Sequence, residues 1–196
     1  MITSVTRIAR LLTIAAGFAL LATAILVSVE VIVRRVFSIS FNAGSELSSY
    51  VLGIVASWGL SYTLLLRGHV RVDALVRHFP ERIRSWIDLF TLLGLGIVAL
   101  LLLTQGYVTF AASWSMNAHS MTPLQVPIWI PQGLWVLGLA FFVVVLAMLA
   151  VSAAAALVNG DYRKSRQLIG IQGVEDEAAE ALADVRAITE AEGARK

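Results

Sequence analysis

Long apolar stretches alternate with short polar ones along this chain. Residues 11–29, 47–66 and 89–160 carry no Asp, Glu, Lys or Arg. Such runs exceed what a buried core helix needs and match the roughly 20 residues that cross a hydrocarbon layer of about 30 Å. Apolar sequence continues without a break from Leu11 to Val33, which predicts a first span over about 11–33. A second lies between Glu46 and Arg67, at about 47–66. The third apolar run is too long for one crossing. It is divided at 111–130, where Asn117, His119, Ser120, Pro123 and Pro127 fall, with Pro131 just beyond. Two further spans result, about 86–110 and 131–158. The pattern predicts an all-α integral membrane protein with four transmembrane helices, gathered into a four-helix membrane domain over 1–158. Arg7 and Arg10 precede the first span, and Ala22-Thr23-Ala24 has the small-x-small look of a cleavage site. Because apolar sequence runs on past that point, an uncleaved signal anchor is expected.

Between the second and third spans, Val72, Leu75, Val76, Phe79 and Ile83 recur at helical spacing, with Arg71, Asp73, Arg77 and His78 on the opposite face. The pattern predicts an amphipathic helix over 69–84 lying in the cytoplasmic interface, held by anionic lipid or bracing a partner protein. After Gly160 the chain turns polar, and 174–192 is rich in Ala and Glu with only a thin apolar stripe. The segment 159–196 therefore reads as a cytoplasmic tail, weakly helical or disordered. Basic residues orient the whole. With the N-terminus inside, Arg7, Arg10, Arg67, Arg71, Arg77, Arg82, Arg84, Arg163, Lys164 and Arg166 are cytoplasmic, and only Arg34 and Arg35 lie opposite. Both termini are expected on the cytoplasmic side.

Composition agrees: 58% of residues are hydrophobic and 14% charged, against about 45–50% and about 25% in soluble domains. The net charge of +2 comes with no basic face interleaved with aromatics, which argues against nucleic acid. Cysteine is absent, which excludes disulfides, thiolate zinc and iron–sulfur clusters. No P-loop, HExxH, GxSxG or glycine-rich dinucleotide turn occurs, so neither ATP-driven transport nor an enzyme activity is indicated. His69, His78 and His119 all fall outside the spans, whereas axial haem ligands would project from the helices, which weakens a haem-carrying reading, and no cofactor is expected.

A few polar residues mark the spans. Glu30 lies within the apolar pattern of the first, one turn before Arg34, a spacing that favours an interface ion pair over a proton relay. Glu46 and Asp88 sit at span ends, Asp88 within reach of Arg84. In the second span Ser49, Gly53, Ser57 and Ser61 recur every four residues, a stripe that lets membrane helices approach closely, within this chain or against another. Trp86, Tyr107, Trp114, Trp129 and Trp135 fall at expected interfaces. Trp58 lies mid-span, where it would pack against a helix or a partner.

Several of these residues together resemble the small membrane subunit of tripartite ATP-independent periplasmic (TRAP) transporters. They are Arg34-Arg35-Val36-Phe37 closing the first helix, Asn42-Ala43-Gly44-Ser45-Glu46 before the second, Arg67-Gly68-His69-Val70-Arg71-Val72-Asp73 after it, and Pro127-Ile128-Trp129-Ile130-Pro131 leading into the fourth. The resemblance covers about 8–158. It implies a non-catalytic subunit of the bacterial inner membrane that scaffolds a large multi-span permease during sodium-coupled uptake of an organic acid delivered by a periplasmic binding protein. It also implies that Arg67, His69, Arg71 and Asp73 hold the cytoplasmic brace and Glu46 the outer end of helix two. The family commonly has a Trp and a second acid ahead of that Glu, where this chain has Ala43 and Ser45. Two rival readings share the four-span architecture: a haem or quinone anchor of a redox complex, and a small self-contained dimeric exporter.

Overall fold

The computed structural model describes residues 2–37, 43–66, 79–122 and 124–169. Four long helices dominate: α1 (Ile2–Phe37), α2 (Ala43–Leu65), α3 (Glu81–Ser115) and α4 (Trp129–Val158), followed by a short α5 (Tyr162–Ile169). All four long helices are apolar and long enough to cross a membrane. At a rise of about 1.5 Å per residue, α1 and α3 outreach the hydrocarbon layer and must tilt or protrude.

The boundaries follow from local chemistry. α3 begins five residues before the expected span, directly after Pro80, whose carbonyl accepts from the amides of Ile83 and Arg84 at 2.9 and 3.1 Å. Proline cannot continue a helix upstream, and Glu81 places an acid in the first turn where the helix dipole favours one. The expected interfacial helix over 69–84 is thereby corrected at one end: Glu81, Arg82, Ile83 and Arg84 are the first turn of α3. Most of that segment, through residue 78, lies outside the described residues. α3 ends in a Schellman motif: Asn117 takes φ +47, its amide reaches the Trp114 carbonyl at 3.2 Å, and the Ala118 amide reaches Ser113 at 2.9 Å. α4 ends the same way. Gly160 takes φ +75, its amide bonds Leu157 at 3.0 Å and that of Asp161 bonds Ala156 at 2.9 Å. α4 also starts at Trp129 rather than Pro131, since proline is tolerated in a first turn whose amides need no intrahelical partner.

The helices do not close into a bundle. α2 packs on α1 and on α4, α4 packs on α2 and α3, and no substantial packing joins α1 to α3 among the described residues. The spatial order is therefore α1, α2, α4, α3: an open row with two broad faces. α4 is central and carries the largest buried share, α1 the smallest. The tightest core lies between α3 and α4, where Leu92, Phe142, Val145, Leu146 and Leu149 are all buried. α5 folds back beneath these two helices and adds Ile169 to the same cluster. Elsewhere large apolar side chains such as Phe18, Ile32, Phe90 and Val151 are exposed, as expected where lipid is the solvent.

Close approach at glycines sets the spacing. A Cβ at Gly138 of α4 would stand 2.9 Å from Ser57 Cβ and 3.1 Å from Trp58 Cδ1 of α2, and one at Gly106 of α3 would stand 2.9 Å from the Trp135 ring of α4. Lipid removes any hydrophobic preference for helix over tail, so this intimate contact is what holds the row together. Several hydroxyls inside the spans are satisfied locally: Thr23, Thr91 and Ser152 each donate to the carbonyl four residues earlier at 2.8 Å, whereas the buried hydroxyls of Thr13 and Ser61 have no partner among the described residues.

The Gly138→Ala variant is expected to lose about 1–3 kcal/mol of stability through overpacking. Gly94→Ala, at a position with nothing within 4 Å of the added carbon, should be neutral or slightly stabilising. Thermal unfolding in detergent checks both, and equal stability of Gly138→Ala and the parent would contradict the packing argument.

Candidate functional site

Polar chemistry collects at one end of the row, where α1 hands over to α2 and where the loop 116–128 joins α3 to α4. Glu30 is half-buried on α1, and its Oε2 accepts a hydrogen bond from the Gly44 amide in the first turn of α2 at 2.6 Å. That amide is one of the donors a helix start leaves without an intrahelical partner, and an acid there is favoured by the helix dipole. Glu30 thus caps α2 from a neighbouring helix. Gly44 is required for the approach, because a Cβ would lie 2.7 Å from Glu30 Oε2 and 3.1 Å from Val27 Cγ2. The expected interface pair between Glu30 and Arg34 gives way to this interhelical bond, while Arg34 is exposed.

Glu46, one turn further along α2, is buried. Its Oε1 accepts from the Tyr50 hydroxyl at 2.8 Å, and its Oε2 accepts from the Thr122 hydroxyl of the 116–128 loop. The Ser120 hydroxyl also engages this carboxylate and lies 2.7 Å from Thr122 Oγ1. Hydroxyl bonds to a carboxylate are charge-assisted and stronger than neutral ones. The loop is shaped to deliver them. His119 and Pro127 face one another in an isolated antiparallel bridge, with the Ser120 amide on the Val126 carbonyl at 2.9 Å and the Ile128 amide on Ala118 at 3.0 Å. Glu46 therefore latches the loop to α2. Aromatic rings reinforce the same end: Trp114 meets Trp129 edge-on at 4.5 Å between centroids.

The small-residue stripe of α2 divides into two parts. Ser57 and Ser61 are buried within this chain, Ser57 against Gly138. Gly53 is half-buried beside Trp135, and Ser49 is exposed. Ser49, Tyr50 and Gly53 line a hollow of about 210 Å³ with Pro131, Gln132 and Trp135, in which Gln132 Oε1 has no hydrogen-bond partner among the described residues. Trp58 packs on α4: its Nε1 donates to the Leu134 carbonyl at 3.1 Å and its ring lies 6.0 Å from that of Phe141. Trp135, expected at an interface, is instead wedged between helices against Gly106. Arg67, His69, Arg71 and Asp73 lie outside the described residues.

Sequence reasoning missed Tyr50, Ser120 and Thr122 as partners of Glu46, and Gly44 and Gly138 as contact points. Tyr50 stands four residues after Glu46, so that bond was open to a helical reading. The loop hydroxyls were not, because nothing local ties residue 122 to residue 46.

Chemically this arrangement grips and positions. The acids of the described spans, Glu30, Glu46, Asp88 and Glu81, stand near helix ends, and no acid occupies the middle of the row. A family model described as "Tripartite ATP-independent periplasmic transporters, DctQ component" matches residues 23–156, well over half of the chain. The chain belongs to that family. No curated protein and no solved structure matches it. As a DctQ component it is a multi-pass membrane subunit of a TRAP transporter and not an enzyme. The match spans the Glu30 cap, the Glu46 latch and the glycine contacts, and stops two residues short of the end of α4.

Glu46→Gln and Thr122→Val should each speed hydrogen exchange at the Ser120 and Ile128 amides while leaving mid-span amides of α4 unchanged. The double variant should lose little beyond Glu46→Gln alone, because both changes remove one shared contact. Exchange mass spectrometry in detergent reads this, and fully additive effects would show that the two residues act separately.

Proposed function

We propose that this DctQ component serves as the fixed scaffold for a large multi-span permease, supporting sodium-coupled uptake of an organic acid brought by a periplasmic binding protein. The open row of helices carries the reading. A chain that translocated substrate alone would need a polar path enclosed between its helices, with ionisable groups near the bilayer centre. Here the acids stand at helix ends, and the row presents two wide apolar faces suited to a protein neighbour or to lipid. If the large subunit moves one domain across the membrane, its other domain must be held still, and a rigid wall of helices does that mechanically.

The distribution of basic residues supports an orientation in the bacterial inner membrane with both termini cytoplasmic. In that orientation the Glu30 cap, Arg34 and the Glu46 latch lie on the periplasmic side. The hollow beside Ser49 and Gly53 is a candidate contact for a large-subunit helix. Ser57, Trp58 and Ser61 act by holding α2 on α4. Arg67, His69, Arg71 and Asp73 are assigned to a cytoplasmic brace on the strength of the family resemblance.

Reconstitution tests the proposal. The large subunit with its binding protein should accumulate an organic acid in proteoliposomes only under an inward sodium gradient and only when this chain is present. Omitting the chain should reduce uptake to that of empty vesicles and shorten the lifetime of the large subunit in detergent. Full uptake by the large subunit alone would refute the scaffold role, and uptake unaffected by sodium would refute the coupling.

A further inference from the structure

α1 is the least buried of the long helices, and among the described residues its substantial packing is on α2 alone. The bond from Gly44 to Glu30 fastens it at one end. Toward the other end its packed face is marked by the buried Ala9, Ala16 and Thr23, seven residues apart, and Thr13 falls on the same side, one turn from Ala9 and from Ala16. Thr13 Oγ1 is buried and has no hydrogen-bond partner among the described residues. Ser61 of α2 is wholly buried and its hydroxyl is in the same condition. Its neighbours in the small-residue stripe differ: the Ser49 hydroxyl donates to the Ser45 carbonyl and the Ser57 hydroxyl to that of Ile54, each at 2.9 Å.

The two orphan hydroxyls stand at one depth. α1 and α2 are consecutive spans that run antiparallel and meet where Gly44 bonds Glu30. Ser61 stands 17 residues beyond Gly44, and Thr13 stands 17 residues before Glu30. At about 1.5 Å per residue, both therefore lie roughly 25 Å from that contact. The edge of the hydrocarbon layer is close by. Arg10 is exposed one turn before Thr13, and α2 ends at Leu65, one turn after Ser61.

We propose that Thr13 and Ser61 together hold a water molecule between α1 and α2, about one turn inside the membrane boundary. A hydroxyl buried without a partner gives up its hydration for nothing in return. A water that accepts from one hydroxyl and donates to the other restores a bond to each, and buried waters settle where otherwise unsatisfied polar groups converge. The bridge pins the second end of α1, so that this helix is held to α2 by Glu30 at one end and by water at the other. Nothing in the site depends on the transport role, and a chain that failed to support uptake would still hold the water.

Stability and hydration of the full chain test this together. Thr13→Val and Ser61→Ala should each lower the thermal unfolding midpoint in detergent by about 2–4 °C, and the double variant should lose little beyond either single one, because both break the same bridge. Thr13→Ser keeps a hydroxyl and should keep the parent midpoint. Thr23→Val serves as the control on the same face, since its hydroxyl already donates to the Ala19 carbonyl; its effect should add to that of Ser61→Ala. In lipid bilayers, solid-state NMR magnetisation starting on water should reach the side chains of Thr13 and Ser61 and not that of Thr23, and the transfer to Ser61 should be lost in Thr13→Val. A raised midpoint in the single variants would show two dry hydroxyls and overturn the proposal. So would fully additive losses, which would mean that each hydroxyl bonds its own helix, or water transfer to Ser61 that survives Thr13→Val.

Discussion

In a hydrocarbon solvent, helices gain nothing by hiding apolar side chains from lipid tails, so shape and backbone proximity decide which helices adhere. Gly138 against Ser57, Gly106 against Trp135 and Gly44 against Glu30 and Val27 are the places where this chain meets that condition. The first two draw α2 and α3 onto α4, and the third closes α1 on α2. Each contact joins helices that are neighbours in the row. Among the described residues no comparable seam draws α1 toward α3, and the array remains open.

The open row explains why polar groups stand where they do. A closed bundle could shelter an acid at its centre, but a wall exposes both faces to lipid or to protein. Several polar side chains then bond locally, as Thr23 and Ser152 do through their own helices, and others gather at the ends. Glu30 and Glu46 take the second course. One is spent on an amide that α2 leaves free at its start, the other on hydroxyls supplied by the 116–128 loop. Together they turn two weak points, a helix start and a surface loop, into a single braced end. At the opposite end α5 docks on α3 and α4, with Ser165 and Ile169 buried.

Membership of the DctQ component family fits a wall of this kind better than either rival four-helix reading, since anchors of redox cofactors and autonomous exporters both use an interior. The broad apolar faces, the glycine-set spacing and the braced loop end are the features on which the proposed scaffold role rests.

Much of this was legible in the chain itself. Charge-free runs of membrane length announce four spans because burying an unpaired charge in lipid is costly, and Pro and Asn residues mark where the third run must break. The family was legible too, through the residues flanking helix two. The arrangement in space was not. Hydropathy is the same for a helix in a closed bundle and in an open row, and the stripe from Ser49 to Ser61 did not reveal which of its members face α4. The partners of Glu46 lie 74 and 76 residues away in Ser120 and Thr122, and the bond from Glu30 skips its helical neighbour Arg34 for an amide on α2. The docking of α5 likewise depends on the turn at Gly160 bringing Ile169 back to α3 and α4. Sequence determined the solvent, the number of crossings and the family, because these depend on local composition. Tertiary structure decided the order of the helices and the partners of Glu30 and Glu46, because those depend on which distant backbones can come close enough to touch.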